Sequence, residues 1–212
     1  MVFNYNDREM FSGNQRLLIA KMTGVNETDD IVYGTGLVSV SAMEDDAEVN
    51  NFAADDVPDH GSIAGASLLK GTISFMQLDP DVRVKFFGQD TTTNGKGYAS
   101  TGVYPQRLVQ YASLGSTKSG QKKLLVTVYP NMSVTGKPSK STETNSSDTP
   151  TAINWEASVQ ASGSDFYLTA RGHRAPEFEY IFTGEEVDTV LEYIDGGGII
   201  TPDYTVTTVT PG

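Results

Sequence analysis

The chain of 212 residues carries a formal net charge of −12 and contains no cysteine. Its length predicts one domain with long loops or arms. The lack of cysteine excludes disulfides, thiolate metal sites and cysteine nucleophiles. The acidic balance disfavours duplex binding, because such proteins usually need a basic face to release counterions from the phosphates. No signal peptide is visible, and the strongest apolar run, at 17–20, is far too short to span a membrane.

The first residues are polar with scattered aromatic side chains, namely Phe3, Tyr5 and Phe11. This composition predicts an arm over residues 1–16, and aromatic side chains in an arm suggest docking onto another surface. A leader that packs locally is the alternative. A first strand is predicted over residues 17–22, where the apolar residues begin.

Period-two alternation of apolar and polar side chains predicts half-buried strands along most of the chain. Val38, Val40 and Ala42 alternate with two serines in a strand or strand pair over 31–43. Trp155 belongs to another alternating run and is predicted to lie in the core. The further predicted strands cover residues 66–78, 98–103, 107–114, 122–129, 151–161, 165–171 and 177–182.

Two residues are predicted to interrupt strands. Pro130 should end the strand over 122–129, because proline has no amide to give to a sheet. Gly71 weakens the middle of the strand over 66–78 and suggests a bulge there.

Two segments are poor in large apolar side chains. Residues 44–66 are acidic and predict a short strand near 49–53, followed by a loop that contains Pro58 and Gly61. Residues 139–151 are of low complexity and lack the apolar groups that would offset the cost of ordering them. This second segment is therefore predicted to be mobile or a surface excursion.

Two short helices are predicted from their terminal residues. Asp79 suits the N-cap, Pro80 the first helical position and Gly88 the position after the last turn. Thr183 and Glu186 have the spacing of a capping box before a second helix with one apolar stripe. The sum predicts a mainly β sandwich or barrel with one or two short helices and long loops.

Catalytic and ligand sites are weakly indicated. His60 follows Asp55 and Asp56, but the spacing matches no metal-binding loop, so a solvated turn is preferred. Carboxylates that could hydrolyse glycosides concentrate in turns and helix starts, and no nucleophile elbow or phosphate loop occurs. Five lysines at 118, 122, 123, 137 and 140 lack the interleaved aromatics of a nucleic-acid site. We therefore expect no enzyme, metal or cofactor.

Several short sequence motifs, none of them a catalytic signature, follow one another in a distinctive order. A strand pair precedes Ala-Asp-Asp at 54–56, followed by Gly-Thr-Ile-Ser-Phe at 71–75, the capped helix at 79–88 and Thr-Pro-Thr-Ala-Ile-Asn-Trp-Glu-Ala at 149–157. This order resembles the major tail protein family of long-tailed phages that infect Gram-positive bacteria. The resemblance covers roughly residues 17–195 and implies a tail tube fold of two β-sheets with a flanking helix.

The resemblance also implies a structural virion protein of the tail, assembled in the host cytoplasm. Six copies would form a ring, and stacked rings would form a tube that conducts DNA without binding it specifically. Tape measure, tail tip and terminator proteins would be further partners, and no membrane would be involved. The resemblance places a tail-tube β domain at 17–195, and the residues on either side, which it does not cover, are predicted to form an N-terminal arm at 1–16 and a C-terminal tail at 196–212. The candidate contacts between subunits are Phe3, Tyr5, Phe11, Asp55, Asp56, Lys137 and Lys140.

A non-enzymatic β-sandwich binding module of a phage tail or surface is the alternative function. A module that binds carbohydrate would need a platform of exposed aromatic side chains. Tyr98, Tyr104 and Tyr111 are candidates for it, although packing in the core or in an interface explains them equally well.

Overall fold

The computed structural model describes residues 9–46, 49–54, 57–64, 67–141 and 153–206, and for 49–54 and 57–64 it describes the backbone alone. Strands dominate these residues and two short helices accompany them, so the predicted mainly β fold is confirmed. The strands are β1 Glu9–Gly24, β2 Glu27–Gly34, β3 Leu37–Val40, β4 Glu44–Asp45, β5 Val49–Ala54, β6 Val57–Ala64, β7 Leu68–Phe75, β8 Gln89–Thr91, β9 Tyr98–Ser100, β10 Arg107–Thr117, β11 Lys122–Val134, β12 Ser139–Ser141, β13 Asn154–Ser162 and β14 Phe178–Thr183. The helices are α1 Pro80–Lys85 and α2 Glu186–Asp195.

The main sheet curls over on itself. Its antiparallel strands follow the order β2-β1-β10-β11-β13-β7-β3, while β14, β12 and β4 pair beside this path with β11, β13 and β7. Strands β1 and β7 are four steps apart, about 19 Å at ordinary strand spacing. Nevertheless Leu17 of β1 shares one core with Ile73 and Phe75 of β7. The sheet therefore encloses this core as a sandwich does. The hairpins β5–β6 and β8–β9 form separate two-stranded sheets.

Strands β1, β10 and β11 each contribute side chains to two cores. In β1, Leu17 and Ile19 belong to the core enclosed by the curled sheet, which we call the main core. Leu18 and Ala20, which point the other way, belong to a second core between the sheet and α2, called the helix-side core. Burial of each large apolar side chain stabilises the fold by about 1.5–3 kcal/mol. The helix-side core also includes Leu108, Ala112, Leu124, Val126, Val128, Tyr167, Val187, Val190, Ile194, Ile199 and Ile200.

Pro130 does not end its strand, contrary to the prediction. β11 continues to Val134, and at Pro130 it changes neighbours, from β14 over residues 123–128 to β13 over residues 131–134. The register with β10 shifts at the same place, which marks a bulge. The missing amide therefore costs little, because it falls where no continuous neighbouring strand requires it.

Three strand boundaries differ from the predictions. β1 begins at Glu9, because the long β10 offers a partner as far as Thr117 to residues that were expected to form an arm. Residues 57–64, expected to be a loop, form β6, whose Pro58 is tolerated in a sheet of only two strands. Residues 165–171, expected to be a strand, form turns with single bridges. The division into arm, domain and tail stays a prediction.

Two smaller strand predictions are also wrong. Val38 is 47% exposed, because a bulge between Leu37 and Ser39 breaks the alternation and turns Leu37 and Val40 towards the main core. Gly71 causes no bulge, since the register of β7 with β13 is continuous there. A Cβ on Gly71 would instead lie 2.4 Å from the Met43 sulfur, so glycine permits a close approach.

The two predicted helices are present, but their caps differ in detail. Asp79 occupies the N-cap of α1, yet its carboxylate accepts hydrogen bonds from the Thr35 amide at 2.7 Å and the Thr35 hydroxyl at 2.8 Å. Before α2, the Thr183 amide donates to the Glu186 carboxylate at 3.4 Å, but no side chain caps the first turn. The apolar stripe of α2 is confirmed, with Val187, Val190 and Ile194 buried.

Tyr167 lies in the helix-side core and is hydrogen-bonded to the chain that follows α2. Its ring is fully buried, and its hydroxyl lies 2.6 Å from the Ile200 carbonyl oxygen and 2.8 Å from the Tyr180 hydroxyl. Burial, and then the hydrogen bond with Tyr180, raise the pKa of Tyr167 well above its ordinary value. The hydroxyl therefore stays protonated and donates to Ile200.

Replacing Tyr167 with phenylalanine should lower the free energy of unfolding by about 1–2 kcal/mol, because a buried carbonyl loses its donor. Urea denaturation followed by circular dichroism would measure this loss. The matched control is Tyr193→Phe, since Tyr193 is 42% exposed and its hydroxyl donates to Ile199 at 3.3 Å. That change should cost less than about 0.5 kcal/mol. Equal losses in the two variants would contradict the role of burial.

Candidate assembly interface

One end of the main sheet is four strands wide, and its two edges, which we call open, pair with no further strand among the described residues. The order there is β14-β11-β10-β1, and each neighbouring pair is antiparallel. β2 joins β1 only from Leu17 onwards, so residues 9–16 of β1 have β10 as their one neighbour among the described residues. Within the same ranges, β14 likewise pairs with β11 alone. We call residues 9–16, 110–117, 122–128 and 178–183 the four-stranded sheet. Its edge strands run in opposite directions, so copies could join through antiparallel pairing.

The outer edge of β14 carries amides that point away from β11. The Gly184 amide donates to the Lys122 carbonyl at 3.0 Å. Because inward and outward amides alternate along an antiparallel strand, Tyr180 and Phe182 donate towards β11 while Glu179 and Ile181 direct their amides outwards. Ile181 is also 51% exposed. An edge with outward donors and an exposed apolar side chain is a template for pairing with another chain.

The two faces of the four-stranded sheet differ in burial. One face packs on α2 through the helix-side core. The opposite face is partly open and is mostly hydroxylic or apolar. Its two charged residues from β11 and β14 are Lys123 and Glu179, which have opposite signs. By strand register, the other residues on this face include Phe11, Ser113, Leu125, Thr127, Ile181 and Thr183.

The structure describes three of the seven predicted contact residues. Phe11 lies half-buried in β1 opposite Gly115, where a Cβ would stand 2.5 Å from the Phe11 ring. Phe11 thus belongs to the open face of the four-stranded sheet. Lys137 and Lys140 lie elsewhere and border one groove. The remaining predicted contacts, Phe3, Tyr5, Asp55 and Asp56, fall outside the described residues. The contact role of all seven stays a prediction.

The groove beside Lys137 and Lys140 has a volume of about 690 Å³ and is built from α1, β9, β12 and β13. The Arg83 guanidinium lies over two rings, 4.9 Å from the centroid of Tyr98 and 4.6 Å from that of Trp155. The Lys140 ammonium lies 5.5 Å from the Trp155 centroid. Hydrogen bonds to the Leu78 carbonyl at 3.2 Å and the Gln89 side chain at 3.4 Å hold Arg83 in place. We call this region, defined by Arg83, Tyr98, Lys137, Lys140 and Trp155, the cationic groove.

The cationic groove was not predicted from the sequence. Trp155 was expected in the core, but it is half-buried between the main core and the groove. Of the five lysines between residues 118 and 140, Lys137 and Lys140 border the groove. No local pattern links Arg83 of α1 to Trp155 of β13, because their contact depends on how the sheet curls.

The three tyrosines proposed as a sugar platform do not form one. Tyr98 borders the cationic groove, whereas Tyr104 and Tyr111 pack against the main core. Burial raises the pKa of Tyr111, which agrees with its packed position. The arrangement does not favour the predicted carbohydrate platform.

Within the described ranges, no three His, Cys, Asp or Glu side chains are grouped so that they could hold a metal ion. No helix in those ranges is long and apolar enough to cross a membrane. The side chains of Asp55, Asp56 and His60 lie outside the described part, so the preference for a solvated turn there stays a prediction.

Comparison with known proteins identifies the family. A family model described as phage tail tube protein matches residues 1–208. The chain belongs to the phage tail tube protein family. Curated tail tube proteins of Lactococcus phages F4-1, SK1 and p2 are each 39% identical to it, covering 97% of this chain and 71% of each relative. The resemblance to phage tail proteins is therefore confirmed, and this tail tube protein is a structural component of a phage tail.

Membership of the family directs attention to surfaces that face other proteins. Two candidates for such surfaces stand out on this tail tube protein among the described residues. The first is the four-stranded sheet with its open edges on β14 and β1. The second is the cationic groove.

Proposed function

We propose that this tail tube protein forms hexameric rings that stack into the tube through which phage DNA leaves the virion. The two open edges of the four-stranded sheet carry this proposal. β14 of one copy would pair with residues 9–16 of the next copy, in the antiparallel sense that their directions allow. Such a contact joins two different surfaces, so repetition around a rotation axis closes a ring and removes the exposed edges.

The dimensions of such a ring suit a DNA conduit. Neighbouring strands lie about 4.8 Å apart, so six four-stranded sheets would enclose a backbone circumference of roughly 115 Å before strand tilt is counted. The corresponding backbone diameter is about 37 Å, and tilt increases it. This leaves room for a duplex after side chains are placed on the inner surface.

The open face of the four-stranded sheet is the candidate lining of the lumen, because α2 covers the other face. Lys123 and Glu179 oppose one another in charge, and hydroxyl groups supply much of the remaining polarity. Phosphates would meet few fixed cations there, so DNA would pass without specific binding. The role is structural, with no catalytic step, and assembly with tape measure, tail tip and terminator proteins completes the proposed set of partners.

Assembly should depend on salt, because six copies at −12 each place −72 on one ring. The Debye length falls from about 30 Å at 0.01 M salt to about 8 Å at 0.15 M, so moderate salt screens this repulsion. Purified protein concentrated at moderate salt should give hollow rings or tubes in negative-stain electron microscopy, and fewer at low salt. Monomers under every condition would contradict this expectation and favour a binding module, which a glycan array would then test.

A further inference from the structure

We infer that the cationic groove binds the acidic segment 44–59 of a second copy of this chain, as a contact separate from the edges of the four-stranded sheet. The inference rests on the proposed self-assembly and names a second surface for it. It joins a receptor on one copy to a ligand segment on the next.

The charges of the groove call for an anionic partner. Arg83, Lys137 and Lys140 line it together with Tyr98 and Trp155, and the described residues of the lining include no acidic one. Within the described part of the chain, none of these three cations forms an ion pair with a carboxylate. Such a concentration of positive charge is unusual on a chain whose net charge is −12. Complementary charge across an interface steers association and fixes which surfaces meet.

The acidic segment supplies the opposite charge. Residues 44–59 contain seven Asp or Glu residues and neither Lys nor Arg. Within the same chain, Asp46 pairs with Lys70, and Asp45 accepts a hydrogen bond from Ser67 at 2.9 Å. Strand β5, which belongs to this segment, pairs with β6 in a two-stranded sheet that is separate from the main sheet.

The first residues of the acidic segment, 44–46, and the groove lie at opposite ends of β7, which favours contact between copies. Trp155 of the groove pairs with Phe75, while the acidic segment leaves the sheet where the Asp46 amide donates to the Leu68 carbonyl at 2.9 Å. Positions 68 and 75 are about 23 Å apart along an extended strand. Two complementary surfaces at opposite ends of one molecule make a head-to-tail contact, which repeats from copy to copy. In a tail tube this contact would join one ring to the next.

The aromatic rings of the groove are better suited to binding an acidic segment than to binding a sugar. A sugar would stack on an uncovered aromatic face, whereas Arg83 lies over both Tyr98 and Trp155, and Lys140 also lies over Trp155. Cations held over aromatic faces keep their charge and remain available to carboxylates.

Charge reversal on the full-length protein tests the inference. The double variant K137E/K140E should lose stacked tubes in negative-stain electron microscopy and leave single rings, and so should D55K/D56K. Combining all four substitutions should restore stacking, because the charges are exchanged rather than removed. The control is K21E/K118E, which changes the net charge equally at two exposed lysines outside the groove and should stack like the unmodified protein.

The outcomes separate this inference from the proposed function. Absence of rings in the unmodified protein would count against ring assembly itself. Tubes formed by K137E/K140E as readily as by the unmodified protein would overturn the groove contact alone. A groove that binds an oligonucleotide or anionic vesicles, with stacking unchanged by K137E/K140E, would overturn it too.

Cysteine cross-linking gives a second measurement, since the chain has no cysteine of its own. Under oxidising conditions the double variant D56C/K140C should form a ladder of disulfide-linked multimers on a non-reducing gel. Each single variant can form dimers at most. A cross-linked monomer without a ladder would show that the segment occupies its own groove and would overturn the contact between copies, as would the absence of any cross-link.

Discussion

Replacing Ile181 with proline should stop ring formation and leave the subunit folded. The Ile181 amide points away from β11, so its loss spares the hydrogen bonds within the subunit, whereas those to a neighbouring β1 would be blocked. Proline on an edge strand is tolerated when the missing amide faces outwards. Electron microscopy and sedimentation velocity would measure assembly, and thermal unfolding would confirm that the melting temperature is nearly unchanged.

Two control variants separate loss of the outward amide from loss of the side chain and from unfolding of the subunit. Ile181→Val keeps the amide and a β-branched apolar side chain, so it should assemble like the unmodified protein. Phe182→Pro removes an amide that points towards β11 and a side chain that packs on the helix-side core, so it should lower the melting temperature strongly. Normal rings formed by Ile181→Pro at the same protein concentration would rule out the β14 edge as the ring contact.

Replacing Gly88 with alanine should lower the free energy of unfolding by about 2–4 kcal/mol. Gly88 follows α1 with a φ of +60°, and a Cβ there would lie 1.9 Å from the Val103 carbonyl oxygen. The neighbouring backbone is fixed, because the Thr101 hydroxyl donates to the Gly88 carbonyl at 2.7 Å. Relief of the clash would therefore disturb Phe86 and Phe87, which are buried in the main core. Urea denaturation would measure the loss.

Gly95→Ala is the matched control for this change. Gly95 has a similar φ of +67°, but a Cβ there would meet no atom within 4 Å. Its substitution should cost only the strain of the left-handed conformation, about 1–2 kcal/mol. Equal losses at the two positions would show that backbone strain alone, and not the contact with Val103, makes Gly88 necessary.

Features with a local cause were predictable from the sequence. The apolar stripe of α2 follows from the helical repeat. Gly88 has the left-handed conformation expected near the end of α1, although it lies one residue beyond the predicted position directly after the C-cap, Phe86. The alternation in β11 and β13 likewise predicted strands before any partner was known. These features depend on the conformational preferences of a few neighbouring residues.

Features that depend on a distant partner were missed. Pro130 was expected to stop β11, but whether a missing amide matters depends on which strand lies alongside. Asp79 was expected to cap its own helix, but Thr35 competes for the same carboxylate. The cationic groove needs Arg83 and Trp155 to meet across the fold. The local sequence shows neither partner.

The participation of β1, β10 and β11 in both cores has a consequence for the cooperativity of folding. Because these strands form one boundary of both cores, neither core can lose its packing without exposing the other. Partly folded subunits should therefore be scarce at equilibrium. Such subunits would expose unpaired strand edges while the core that supports those strands is not packed. Almost all subunits that add to a growing polymer would accordingly be fully folded, which limits the incorporation of misfolded subunits.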